Sequence, residues 1–161
     1  MNETLACLSL GSNLGDRKGT IDRALHALNA LSGCQIDQQS SYYTTAPWGK
    51  EDQPEFVNTA CGLWCSISAE TLIGHIHRIE KQLGRERMAH WGPRTLDIDI
   101  ITFGQQQINS ALLRVPHPLF SQRLFVLEPL AEIYPDLRIH DKRCSEHLQA
   151  LRNSLERNSR N

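Results

Sequence analysis

From Phe56 to Ile67 the chain alternates without a break. Val57, Thr59, Cys61, Leu63, Cys65 and Ile67 fall on one side, and Phe56, Asn58, Ala60, Gly62 and Trp64 on the other. Strand side chains point alternately to opposite faces, so this period of two predicts a strand that needs partners for its backbone groups. Thr4 to Leu10 reads as a buried strand, ended by the Gly-rich "GSNLGDRKG". Asp16 to Leu31 follows as an amphipathic helix with Ile21, Ala24, Leu25, Leu28 and Leu31 on one stripe, closed by Gly33. A strand from about Gln35 to Thr44 leads into the polar loop "TAPWGKEDQPE". Ser68 is placed to cap a helix from Ala69 to about Leu83 whose buried stripe is Leu72, Ile73, Ile76, Ile79 and Leu83. After Gly84 a basic loop, "GRERMAHWGPR", enters a strand from Thr95 to Phe103, which turns at "GQQQ" into a short strand. "RLFVLEPLAEI" and "CSEHLQALRNSL" read as helices, and the end, from about 155 to 161, as frayed.

That order predicts an α+β fold with a βαββαβ core and a C-terminal extension. It is the split βαβ order of a ferredoxin-like antiparallel sheet with helices packed on it. At 161 residues the chain suits one domain, 1–161, burying roughly two thirds of its unfolded surface. Lysine and arginine number 17 against 18 acidic residues, so no global field draws the chain to nucleic acid or to a membrane. No apolar run approaches a membrane span, and the N-terminus lacks the basic-then-apolar pattern of a signal peptide. The five cysteines form no CxxC pair. Cys61 and Cys65 are too far apart along a strand for a disulfide, and buried thiols in a reducing cytoplasm are expected.

The chemistry concentrates in "HWGPRTLDIDI". Asp97 and Asp99, two apart on a strand, share a face about 6.5–7 Å from each other, while Leu96, Ile98 and Ile100 pack behind them. Two carboxylates on a rigid element can ligate one hard cation or bridge two, and Mg²⁺ prefers such oxygens. An isolated DxD is more often a solvated strand face. Here Arg85, Arg87 and Arg94 precede it, and Arg114, His117 and Arg123 follow. Arginine's planar fork suits phosphate oxygens, and acids beside cations are how phosphoryl-transfer sites handle a nucleoside triphosphate. Neither GxxxxGK[ST] nor GxGxxG is present, so ATP would be held through metal and arginines.

A second cluster lies in "TTAPWGKEDQPEFVN". Trp48 and Phe56 offer aromatic planes and Asn58 an amide, which together suit a flat heterocycle, with Phe125 as a candidate opposite wall. His75 and His77 face different ways on their helix, which argues against a zinc pair. His26, His140 and His147 read as surface residues. His117, in "VPHPLF", is the histidine the context marks as functional, as a donor to phosphate.

Taken together, "WGPRTLDIDI", "LGSNLGDR", "TAPWGKEDQPEFVN", "RIEKQLGRER" and "VPHPLFSQRLFVLEPLAEIYPD" resemble the motifs of 6-hydroxymethyl-7,8-dihydropterin pyrophosphokinases over about residues 5–138. The resemblance implies a ferredoxin-like fold, folate biosynthesis, and transfer of pyrophosphate from ATP to the hydroxymethyl group of the dihydropterin, with release of AMP. It implies two Mg²⁺ ions at Asp97 and Asp99, with Arg85 and Arg94 as further catalytic residues. ATP or its phosphates would meet Arg85, Arg87, Trp91, Arg94, Ile100, Arg114, His117 and Arg123. The pterin would meet Thr45, Trp48, Gly49, Phe56, Asn58 and Phe125, with Glu80 lining the site. Arg87 and Trp91 would belong to a closing loop. His90 stands where many members carry Arg or Lys, and Leu112 where some carry Arg. A cytoplasmic monomer with no nucleic-acid or membrane partner is expected. Two rival readings remain from the residues: another DxD enzyme such as a nucleotidyltransferase or phosphohydrolase, and a small RNA-binding domain. The first leaves Trp48, Phe56 and Asn58 without a purpose. The second lacks both the aromatic RNA-binding motif and the basic charge.

Overall fold

The computed structural model describes residues 2–13, 15–45, 55–84 and 96–160. Strand β1 (Thr4–Ser12) is followed by α1 (Arg17–Asn29), β2 (Cys34–Gln39), β3 (Tyr43–Thr45), β4 (Phe56–Cys65), α2 (Ala69–Gly84) and β5 (Asp97–Phe103). Two small hairpins, β6 (Ile108–Asn109) with β7 (Arg114–Val115) and β8 (Arg138–Ile139) with β9 (Lys142–Arg143), flank α3 (Leu124–Ile133), and α4 (Cys144–Ser159) ends the chain. The sheet order is β2-β4-β1-β5, with β3 also on β4, and every pairing is antiparallel.

Local chemistry explains the boundaries. The Asp16 carboxylate accepts from the Gly19 backbone N–H at 3.0 Å and caps α1, and the Ser68 hydroxyl accepts from Thr71 N–H at 3.1 Å to start α2, both filling donors that a helix start leaves orphaned. The single strand expected over 35–44 is instead two, β2 and β3. Ser40 breaks it: its hydroxyl accepts from the Ala60 N–H at 2.9 Å, and the ladder shifts register between Ile36 and Gln39. A side chain has taken a ladder position, so the strand kinks there. The final helix runs to Ser159, further than the apolar pattern predicts, through polar residues of adequate helix propensity. His147, expected at the surface, is half-buried, with Nε2 2.8 Å from the Ile139 carbonyl oxygen and its ring edge-on to Phe120.

The sheet divides the interior in two. On one face Leu8, Leu10, Val57, Cys61, Leu63, Ile98 and Ile100 pack with Ile21, Leu25 and Leu28 of α1 and Leu72, Ile76 and Ile79 of α2. On the other, Cys7, Ala60 and Ile101 pack with Phe120, Val126, Leu127 and Leu130, joined by Cys144 and Leu148 of α4. Each buried aliphatic side chain contributes about 1.5–3 kcal/mol. In β5 the ladder skips Ile101: Leu8 faces Ile100 and Cys7 faces Thr102. Alternation puts Ile101 on the second face with Asp97 and Asp99, and the bulge beside it turns Phe103 into the first core next to Ala6. All five cysteines are free thiols; Cys65 lies opposite Cys34 across β4 and β2, with their sulfurs 4.0 Å apart. Among the described residues no helix is long and apolar enough to cross a membrane.

Candidate active site

Strand register assembles the site. Tyr43 lies opposite Asn58, Asn58 opposite Gly11, and Gly11 opposite Asp97. Directly opposed residues project to one face, so these four form a line across the sheet. With strands about 4.8 Å apart, Asp97 lies about 10 Å from Asn58. One step toward the loop end, Thr45 lies opposite Phe56. One step inward, Ala60, Ser9 and Asp99 form the next line. Asp97, Asp99, Asn58, Phe56 and Thr45 therefore share the second face, at the end of β1 that leads into Ser12 and Asn13.

Gly11 is the gap in that line, and it has a use. A Cβ there would sit 2.7 Å from Asn58 Oδ1, so only glycine lets the Asn58 side chain lie over β1. The Asn58 amide, almost fully buried, donates from Nδ2 to Thr45 Oγ1 at 3.0 Å. Thr45 thus takes one of its two amide hydrogens and sets the amide's rotation. Phe56 is half-buried. Phe125 packs on the second core from α3, which places it on the same side of the sheet as Phe56.

Asp97 and Asp99 are both half-buried. Between them, the Ile98 backbone N–H donates to Glu80 Oε2 at 2.9 Å. β5 is an edge strand, so that N–H has no ladder partner, and a carboxylate from α2 satisfies it. Glu80 thereby fixes the backbone carrying both aspartates. Ile100 is 3 % exposed in the core against α1 and α2. Its side chain cannot reach a ligand on the second face, so the nucleotide contact expected of it is limited to its main chain.

His117 is tied by its N–H to the Ile101 carbonyl at 2.8 Å, and its Nδ1 accepts from Leu119 N–H at 3.1 Å. The ring hydrogen is therefore on Nε2, which is left as a donor. Burial lowers the His117 pKa; the neighbouring Asp99 charge works the other way and Arg123 adds to the lowering. The Arg123 guanidinium lies 5.5 Å from the centre of the Phe125 ring. His117, Arg123 and Asp99 are thus brought together. Arg114 is exposed on β7, whose strand packs beside β5. Arg85, Arg87, Trp91, Arg94, Trp48 and Gly49 lie outside the described residues, as does His90.

Ser12 and Asn13, at the same end of β1, are buried, and Ser12 Oγ and Asn13 Oδ1 have no hydrogen-bond partner among the described residues. The sequence favours a strand-to-helix turn over phosphate binding for "GSNLGDRKG". Its overlooked signal was a polar pair directly after a buried strand, since unpaired buried polar groups cost about 1–3 kcal/mol each.

The model of the 7,8-dihydro-6-hydroxymethylpterin-pyrophosphokinase (HPPK) family matches residues 7–135. This chain belongs to the HPPK family. A 2-amino-4-hydroxy-6-hydroxymethyldihydropteridine pyrophosphokinase of Bacillus subtilis is 43% identical over 129 residues, covering 80% of this chain and 77% of the relative. One from Methylorubrum extorquens is 39% identical over 148 residues, covering 92% and 94%. Among solved structures, a Plasmodium falciparum HPPK-DHPS chain superposes with a TM-score of 0.76 at 14% identity. That match covers 96% of this chain but 44% of the Plasmodium chain, so the HPPK member described here spans less than half of that longer protein. At such identity the likeness is one of fold.

Proposed function

We propose that this HPPK-family chain transfers pyrophosphate from ATP to the hydroxymethyl group of 6-hydroxymethyl-7,8-dihydropterin, yielding AMP and the pterin diphosphate for folate biosynthesis. The observation that carries this reading is the cross-strand line, which sets a heterocycle-reading amide and a two-carboxylate platform on one face about 10 Å apart. A plain DxD hydrolase has no need of the first half, and an RNA-binding sheet has no need of the second.

In the pterin half, Asn58 reads the edge of the ring, Thr45 holds Asn58, and Phe56 and Phe125, with Trp48 and Gly49, enclose the ring faces. In the phosphate half, His117 donates from Nε2 and Arg123 and Arg114 add positive charge, with Arg85, Arg87, Trp91 and Arg94 completing the set. Asp97 and Asp99 suit Mg²⁺: they are hard oxygen donors on one face, and no group of three or more His, Cys, Asp or Glu side chains gathers as a metal cage among the described residues. Magnesium is commonly held by one or two carboxylates plus substrate phosphates and water. Two ions there would neutralise the triphosphate. The substrate hydroxyl oxygen forms a bond to the β-phosphorus, the bond from that phosphorus to the α–β bridging oxygen breaks, and AMP leaves. The hydroxyl proton passes to solvent. The residues contribute alignment and charge stabilisation, with no covalent enzyme intermediate.

The sheet order β2-β4-β1-β5 with two crossing helices supports a ferredoxin-like topology for the βαββαβ core. One domain over 1–161, acting as a cytoplasmic monomer, completes the proposal. The test is to incubate the protein with ATP, Mg²⁺ and the hydroxymethyl dihydropterin and to separate the products. AMP with pterin diphosphate is the expected outcome; ADP or free phosphate would overturn the assignment.

A further inference from the structure

The segment joining β2 to β3 is gripped from both sides of the sheet by carboxylates that the reaction does not use. Tyr42 and Tyr43 are neighbours and project to opposite faces. Tyr42 donates its hydroxyl to Asp22 of α1, and the Lys18 ammonium lies 5.6 Å from the centre of its ring. Tyr43 donates to Glu132 Oε1 of α3 at 2.6 Å. The other oxygen, Oε2, accepts from the Ser41 backbone N–H at 2.9 Å and from the Ser41 hydroxyl at 3.1 Å. Three donors thus converge on one carboxylate. The ionisation behaviour agrees: the Tyr43 hydrogen bond holds the Glu132 carboxyl below its ordinary range, and the same bond pushes the Tyr43 hydroxyl up to about 12.

The strand held this way is short. β3 has only the pairs Tyr43–Asn58, Thr44–Val57 and Thr45–Phe56, and a ladder of that length at a sheet margin opens readily by itself. Its last residue is Thr45, which orients Asn58. Glu132 also lies two helical turns after Phe125, so both fall on one face of α3. The carboxylate therefore ties the strand carrying Thr45 to the helix carrying Phe125.

We infer that Glu132 is a positioning residue: by holding Ser41 and Tyr43 it keeps β3 in register and sets the separation of the Thr45–Asn58 and Phe125 sides of the pterin subsite. The clamp stands on the hydrogen bonds alone, whereas its effect on pterin binding rests on the function proposed above. Both carboxylate oxygens accept here, from the Tyr43 and Ser41 hydroxyls and from the Ser41 N–H. A carboxamide of the same size has one acceptor oxygen and turns an NH₂ toward a donor. Glu132 is exposed, so water competes for it and the effect is moderate.

The experiment compares wild type, Glu132→Gln and Tyr43→Phe by amide hydrogen exchange and by steady-state kinetics with each substrate varied in turn. Glu132→Gln is expected to speed exchange over 41–45 while leaving β8, β9 and α4 unchanged. It should raise KM for the dihydropterin roughly fivefold, with KM for ATP and kcat within about twofold of wild type. Tyr43→Phe removes one of the three bonds and should move both readouts the same way by less, which also covers a poorly folding Gln variant. Unchanged exchange over 41–45 would overturn the clamp. Faster exchange with an unchanged dihydropterin KM, or with both KM values raised alike, would overturn the positioning role. A wild type that makes no AMP would remove the proposed reaction and with it the pterin-subsite role, while the exchange measurement would still decide the clamp.

Discussion

The two faces of the sheet are made from the same strands and do opposite work. Under α1 and α2, the face bearing Leu8, Leu10, Val57, Ile98 and Ile100 is mainly aliphatic. The other is apolar where Cys7, Ala60 and Ile101 pack with α3 and α4, and along the same strands it carries Asp97, Asp99, Asn58, Phe56 and Thr45. A strand's period of two lets one short segment, Asp97 to Ile100, serve a core and the proposed catalytic platform by alternate residues. Rigidity for the site thus comes from burial on the reverse side of the same backbone.

The sharpest way to break this contrast is to change one face at a time. Asp97→Ala or Asp99→Ala should lower turnover by at least about 10³-fold, since the charge stabilisation they organise is lost. Their thermal unfolding should remain near that of wild type, and near-normal turnover would remove them from the metal role. Ile98→Ala, between them, should do the reverse, costing about 2–5 kcal/mol in denaturant titrations while retaining turnover per folded molecule.

A finer cut concerns groups that link the faces or hold the lines straight. Gly11→Ala would push a methyl group to 2.7 Å from Asn58 Oδ1. It should raise the dihydropterin KM about tenfold with ATP affinity little changed. Glu80→Ala strands the Ile98 N–H, so stability should fall by about 1–3 kcal/mol, with kcat falling too because the aspartates lose a fixed backbone. A stability loss with wild-type kcat would make Glu80 purely architectural.

The smallest effect is a pH dependence on the Glu132–Tyr43 contact. The Glu132 pKa is lowered in the fold, so its contribution is present above the ordinary carboxylate pKa and is lost as pH falls through the depressed value. Tyr43 is shifted upward, so its contribution is complete below the ordinary tyrosine pKa near 10 and is lost as pH rises toward about 12. Thermal melts of wild type and Tyr43→Phe should therefore diverge least at alkaline pH. A constant difference from neutral to alkaline pH would contradict the coupling.

Much of this was legible in the chain. The alternation of Phe56 to Ile67 and the stripes of both early helices are local patterns, and the structure carries them over Phe56–Cys65, Arg17–Asn29 and Ala69–Gly84. Asp97 and Asp99 were readable as co-facial because strand geometry needs no knowledge of the rest of the fold. Ser40 was not readable as a strand breaker, since its role depends on meeting Ala60 N–H across the sheet. For Ile100 the resemblance names a position and does not say which way its side chain points, which is into the first core. Glu132 carried no signal at all: its two partners, Ser41 and Tyr43, lie about ninety positions earlier.

By itself, then, the sequence determined the elements, their order, the alternation that segregates carboxylates from aliphatics, and the family. Only the tertiary structure decided that Tyr43, Asn58, Gly11 and Asp97 stand in one line, because strand register is set by hydrogen bonds between segments distant in the chain. It also decided which residues of the second face are packed: α3 and α4 cover Cys7, Ala60 and Ile101, a matter of helix packing that no local pattern in β4 or β5 encodes.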